Sequence, residues 1–222
     1  MLKVRSFNDV YDSPMFEKDG NGTFIKCDAA KDICGRCFCE INDSIVMWST
    51  YSNHHTGICI EYETEPYSCS FVKVKYVEEP VYVTPLHEPD SSTINCLTAL
   101  PLVCKYKGWE NEKEWRILVR RPFPGDNVWK VPLPVKAIYF GCAFGSQKID
   151  DFEKQYYREL RDYILENRVP IYAGQIMSDR YGIEFLEADV RQLINADGSL
   201  IYQVENDRGE YADVKKVFRR KF

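Results

Sequence analysis

The 222-residue chain has no run of 18 apolar residues and no basic-then-apolar leader, so neither a membrane-spanning helix nor a secretory signal is expected, and the chain reads as soluble and cytoplasmic. Positive charge is also scarce. The 29 Lys and Arg against 34 Asp and Glu leave a net charge of −5, which removes the broad attraction that most sequence-independent nucleic-acid binders depend on. The basic residues Lys215, Lys216, Arg219, Arg220 and Lys221 read as a solvated terminus. Paired metal-ligand spacing is missing too: Cys34 and Cys37 form one C-x2-C, but no second pair follows, so no metal is expected. Nine cysteines is an odd number, and without a leader a disulfide framework is not expected. Cys37-Phe38-Cys39 reads instead as small side chains buried in a strand. Gly141-Cys142-Ala143-Phe144-Gly145 lacks the third glycine or the Lys-Ser/Thr of a phosphate-cradling loop, and reads as a strand-to-helix turn. There is no internal repeat and no low-complexity linker.

What is present is apolar and aromatic: 45% hydrophobic residues with 14% aromatics describe a folded globule. Residues 1–26 are turn-rich. Strands are expected at Arg36 to Glu40, Ser44 to Trp48, Gly57 to Tyr62 and Phe71 to Tyr76, then at Val128 to Val131, Ala137 to Gly141, Pro170 to Gly174 and Gly182 to Phe185. Asp90-Ser91-Ser92 offers a cap for a helix over Ile94 to Tyr106, kinked by Pro101. A long amphipathic helix is expected from about Gln147 to Glu166, capped by Ser146, with Ile149, Phe152, Tyr156, Leu160, Tyr163 and Ile164 as its packing face. A hairpin is expected at Asn195-Ala196-Asp197-Gly198. The fold class is therefore α+β, a single mixed and largely antiparallel sheet domain over 1–190, with a hairpin and basic tail at 191–222.

The densest patterning lies in Lys105 to Arg120. On a strand, Trp115, Ile117 and Val119 would point one way while Glu112, Glu114, Arg116 and Arg120 point the other. The charged row then faces either solvent or a cleft. Carboxylates two residues apart raise each other's pKa, whereas Arg116 beside Glu114 favours the charged form. A second dense stretch, Met47 to Ile60, gathers Trp48, Ser49, Tyr51 and His55 before a strand, the usual way of building a site on a scaffold.

Together these stretches resemble the bacterial family catalogued as domain of unknown function 2971, which carries MWSxY, then HxG and an apolar strand, then KxxxW followed by ExEWR. Phe7-Asn8-Asp9, Cys37-Phe38 with Glu40, and Lys136 to Gly141 resemble further parts of that family, so the similarity covers roughly residues 5 to 186. The chain departs from the family in having Thr50 where His is frequent. It also begins almost at the Phe7 loop, where the family places an earlier aromatic-rich strand, so a shortened version is expected.

The family's order of motifs is similar to that of ADP-ribosyltransferases, and this analogy between architectures implies an NAD-using transferase or glycohydrolase. Glu114 would then orient a ribose hydroxyl and stabilise an oxocarbenium-like transition state, joined in the catalytic set by Tyr51 and His55. Trp48 and Tyr51 would stack on nicotinamide or adenine, Ser49 and His55 would hold ribose or phosphate oxygens, and Lys105, Trp109, Glu112 and Arg116 would complete the substrate site. Two other readings stand beside it. One is a non-catalytic module binding a nucleotide or a protein partner. The other makes these residues structural, with Trp48 and Trp109 as core aromatics and Lys105–Glu112 an ion pair. A Cys59 or Cys39 nucleophile with His55 ranks last.

Overall fold

The structure, a computed structural model, describes residues 2–3, 15–18, 21–27, 33–81, 100–120 and 133–201. The Phe7 loop, the Asp90 cap, the Val128 strand and the basic residues after 202 lie outside the described residues. In chain order the strands are β1 (Leu2–Lys3), β2 (Met15–Lys18), β3 (Phe24–Cys27), β4 (Ile33–Cys39), β5 (Ile58–Tyr62), β6 (Val72–Lys73), β7 (Lys75–Val77), β8 (Cys104–Tyr106), β9 (Glu114–Arg120), β10 (Val135–Phe140), β11 (Ile171–Ile176) and β12 (Ile183–Glu187). Helices α1 (Ile45–Tyr51) and α2 (Asp151–Asn167) accompany them. The class is α+β, with open sheets whose strand pairs are mostly antiparallel. No helix among the described residues is long and apolar enough to cross a membrane.

The chain divides into two compact units, each built from two segments: 1–41 with 65–132, and 42–64 with 133–222. In the first unit, β9 is flanked by β4 and β6 in the order β1-β4-β9-β6. The β4–β9 register pairs Phe38 with Trp115 and Cys37 with Arg116, so β9 lies inside its sheet. The strand expected over Phe71 to Tyr76 is interrupted at Val74, whose N–H donates to the Glu114 carbonyl (2.9 Å). The interruption sends β7 to a new partner, β8, in parallel register with Tyr76 opposite Lys105. Of the helix expected to reach Tyr106, the described part is a 3-10 turn at Leu100–Val103 that gives way to β8. Pro101 lies inside that turn, where its missing N–H denies the chain an α-helical hydrogen bond. On β4, Cys37 is exposed and Cys34 and Cys39 are half-buried, so these thiols are not the buried packing expected.

In the second unit the sheet order is β12-β11-β10-β5, with β10 and β11 parallel and joined through α2. The core gathers Ile138, Phe140, Ile164, Ile171, Ala173, Val190, Leu193 and Ile194. Residues 190–201 take part in this packing, closing with an Ile194–Leu200 bridge and a Gly198 at φ +86° in the turn. Helix α2 begins at Asp151 because Asp150 and Glu153 form a reciprocal capping box, a stronger start signal than the Ser146 hydroxyl. Ser146 instead donates to the Ala143 carbonyl within the preceding turn.

The stretch Ser44 to Trp48, expected as a strand, is the cap and first turn of α1. The Ser44 hydroxyl accepts from the Met47 N–H, and this short-range cap overrides the strand propensity of Ile45 and Val46. The packing face of α2 also differs from expectation. Tyr157, Leu160, Ile164 and Leu165 meet the core, whereas Phe152, Tyr156 and Tyr163 are exposed. Two apolar stripes share this helix, and a simple three-and-four spacing merges them.

Candidate functional site

The acidic motif is buried in the first unit. Lys105, Glu112, Glu114 and Arg116 are all buried, and Arg116 has 0% of its surface exposed. These four side chains therefore face neither solvent nor an open cleft. Glu112 is not on the strand at all. It ends a 3-10 turn, Lys107–Glu112, and Lys113 in the left-handed region (φ 45°) swings the chain into β9. That turn brings both carboxylates onto one ammonium: Lys105 Nζ donates to Glu112 Oε2 at 2.5 Å and to Glu114 Oε2 at 3.1 Å. Arg116 supplies the second cation, its Nε donating to Glu114 Oε1 at 2.7 Å and its Nη2 to Oε2 at 3.0 Å. Its Nη1 reaches the Leu102 carbonyl at 2.6 Å.

Among the described residues, two cations thus meet two carboxylates, with both Glu114 oxygens engaged. Burial alone would raise the Glu114 carboxyl. The hydrogen bonds and charge of Arg116 outweigh it, with help from Cys37 and Lys105, and hold the group below its ordinary value. The Tyr76 hydroxyl accepts from the Glu114 N–H at 2.9 Å, and Lys105 Nζ lies 5.1 Å from the Trp109 ring centre. Trp115, expected on a buried face, is half-buried. Its indole donates to Glu40 at 3.2 Å beneath a Lys73–Glu40 ion pair of 2.8 Å.

The other predicted residues belong to the second unit. Trp48 is buried, its indole donating to the Asn42 carbonyl at 2.6 Å and its ring 5.7 Å from that of Phe185. Its carbonyl accepts from the Ser52 hydroxyl, so Trp48 is a core aromatic. Ser49 offers its carbonyl to the His54 N–H, and Tyr51 is exposed on α1.

After α1, Asn53, His54 and His55 occupy the left-handed region in succession, at φ 49°, 56° and 66°. Backbone of this kind costs about 1–2 kcal/mol per non-glycine residue, and it is clamped from both sides. His55 N–H donates to the Trp48 carbonyl (3.3 Å), and the His55 carbonyl accepts from Ala143 N–H (3.1 Å). Gly141 permits that approach: a Cβ there would lie 2.0 Å from the His55 carbonyl oxygen.

The clamp borders a cleft of about 550 Å³ that sequence reading did not find. Its lining includes Ile45, His55, Cys142, Ile176, Met177 and Tyr181. It sits where β10 and β11 end and β12 begins, since Cys142 follows β10 while Ile176 and Ile183 close one register pair. His55 Nδ1 is buried with no hydrogen-bond partner among the described residues. Burial pushes the Cys142 thiol up, and does the same to Cys39, which disfavours the thiolate form. The available signal was Met177 to Gly182, a polar hairpin turn carrying an unexplained Met and Tyr between two strands.

Residues 47–117 match the family model described as Protein of unknown function (DUF2971). This stretch runs from α1 in the second unit to β9 in the first. No curated protein and no solved structure matches the chain.

Proposed function

We propose that this chain, whose residues 47–117 match the model of a family of unknown function, is a non-catalytic binding module. On this reading the acidic motif holds the first unit together and the cleft of the second unit takes a nucleotide-sized ligand. The observation that carries it is the burial of Glu114 with both of its oxygens held by Arg116 and Lys105. A carboxylate that stabilises an oxocarbenium-like transition state must face the reacting carbon in a space the substrate can enter. Glu114 spends both oxygens on internal cations.

Three features support the cleft as the binding site. It lies beyond the carboxyl ends of two parallel strands, where open α/β sheets commonly take ligands. Its volume suits a small molecule. Tyr181, fully exposed, offers a stacking surface, Arg180 a guanidinium for an anionic group, and His55 an unpaired ring nitrogen. The alternative, NAD-dependent ADP-ribosyl transfer or NAD glycohydrolysis with Glu114 as the catalytic glutamate, requires Glu114 to release Arg116 and Lys105 when substrate arrives.

A thermal-shift screen with NAD, ADP-ribose and AMP tests the reading, since a ligand at about 100 times its Kd stabilises by about 2.7 kcal/mol. The expected result is a shift from at least one nucleotide, lost in Tyr181→Ala and in His55→Ala, with no nicotinamide released from NAD. Absence of any shift overturns the binding site. Nicotinamide release that vanishes in Glu114→Gln restores the enzyme.

A further inference from the structure

The solvent side of α2 carries an aromatic stripe that the fold does not use. At 100° per residue, Phe152, Tyr156 and Tyr163 fall within about 40° of one another and span about 16 Å of helix. They point roughly 80–140° away from Tyr157 and Ile164, which face the core, while the half-buried Leu160 lies between, about 40° round from Tyr156. Their exposures are 74%, 70% and 42%. Aromatic side chains of about 200 Å² each therefore leave on the order of 350–400 Å² uncovered on one helix face. Isolated exposed apolar residues need no explanation, whereas a contiguous patch of this size marks an interaction surface.

The charges beside the stripe choose the partner. Glu159, Asp162 and Glu166, all exposed, run along one edge, and the exposed Arg158 lies beyond them, one helical turn before Asp162. Lys154 and Arg161 lie further round, where they pair with Asp151 (2.8 Å) and Asp162 (3.3 Å). Glu166 has no partner among the described residues. A nucleic acid or an anionic lipid surface would meet this acidic edge with like charge. So would a second copy of the chain, because a two-fold antiparallel pairing of α2 sets the acidic edge against itself.

We propose that the Phe152–Tyr156–Tyr163 face of α2 is a docking surface for a protein segment that presents an apolar ridge flanked by Lys or Arg, in the helix-on-helix manner of amphipathic recognition. The ridge supplies apolar contact, and the basic flank supplies orientation and salt-dependent association.

The test uses the full chain and three fluorescent 18-residue peptides read by anisotropy. One carries a Leu ridge at helical spacing flanked by Lys, the second has the same composition scrambled, and the third has the same ridge flanked by Glu. The Lys-flanked ridge is expected to bind at least about tenfold tighter than either control, and more weakly as salt rises. Phe152→Ser/Tyr156→Ser/Tyr163→Ser should lose that preference with an unchanged circular dichroism spectrum. Glu159→Lys/Glu166→Lys, which keeps every aromatic, should lose it as well. Equal binding of the ridge and scrambled Lys peptides would overturn the proposal, as would a preference that survives both variants. A concentration-dependent dimer that disappears in the triple variant would assign the face to self-association instead.

Discussion

Replacing Glu114 by Gln keeps the shape of the side chain and removes its charge, which isolates the part it plays in the buried network. In the wild type its oxygens hold Nε and Nη2 of Arg116 and share Lys105 with Glu112. The amide can accept through one oxygen only, and a guanidinium with no exposed surface is left beside an excess positive charge. Breaking a buried pair by removing one member costs about 3–5 kcal/mol, a large share of the roughly 5–15 kcal/mol that stabilises a folded protein. For a chain of this length each kcal/mol lowers Tm by about 2–4 °C, so a fall on the order of 6–20 °C is expected. Guanidinium unfolding, followed by far-UV circular dichroism and by tryptophan emission, measures the loss directly. A penalty below about 1 kcal/mol would refute the reasoning, because Glu114 would then be free of the network and available for chemistry.

The remaining predictions follow from the same geometry. In Glu114 the folded state holds the carboxyl below the ordinary 4.5 of the unfolded chain. Its stabilisation is therefore fully present above that value and is lost as pH falls through the lower folded value. Wild-type stability should drop across this acid window more steeply than that of Glu114→Gln, and parallel slopes in urea titrations at a series of pH values would contradict the assignment. A double-mutant cycle between Lys105→Met and Glu112→Gln should show coupling of roughly 0.5–3 kcal/mol, whereas additive losses would show that the 2.5 Å pair contributes nothing. Gly141→Ala places a methyl 2.0 Å from the His55 carbonyl oxygen and should cost about 1–3 kcal/mol through forced displacement of backbone, with an unchanged Tm counting against the clamp.

How far the sequence reveals this molecule depends on the range of the forces involved. Period-two alternation marks β9, and short apolar runs bounded by turn formers mark β4, β5, β10, β11 and β12 within a few residues, because both are local signals. Ser44 to Trp48 was misread because a single capping hydroxyl outweighed β-branched propensity. The faces of α2 were merged because Phe152 and Tyr156 continue the same helical spacing as Leu160 and Ile164, and only tertiary contact separates them. In the candidate site, Lys105, Glu112, Glu114 and Arg116 were legible as a group, but their burial was not. That follows from Lys113 turning left-handed and from Tyr76 arriving on a strand nearly forty residues earlier. The cleft was missed because its walls come from α1, the turn after β10 and the β11–β12 hairpin, which no single window of sequence contains.

The most direct measurement is the ionisation of Glu114 itself, followed by carboxyl carbon-13 resonance and assigned by its loss in Glu114→Gln. The buried network predicts a midpoint below the ordinary 4.5, unmoved by saturating NAD. A midpoint at or above 4.5, or one that shifts when NAD is added, would contradict it and open the site to catalysis.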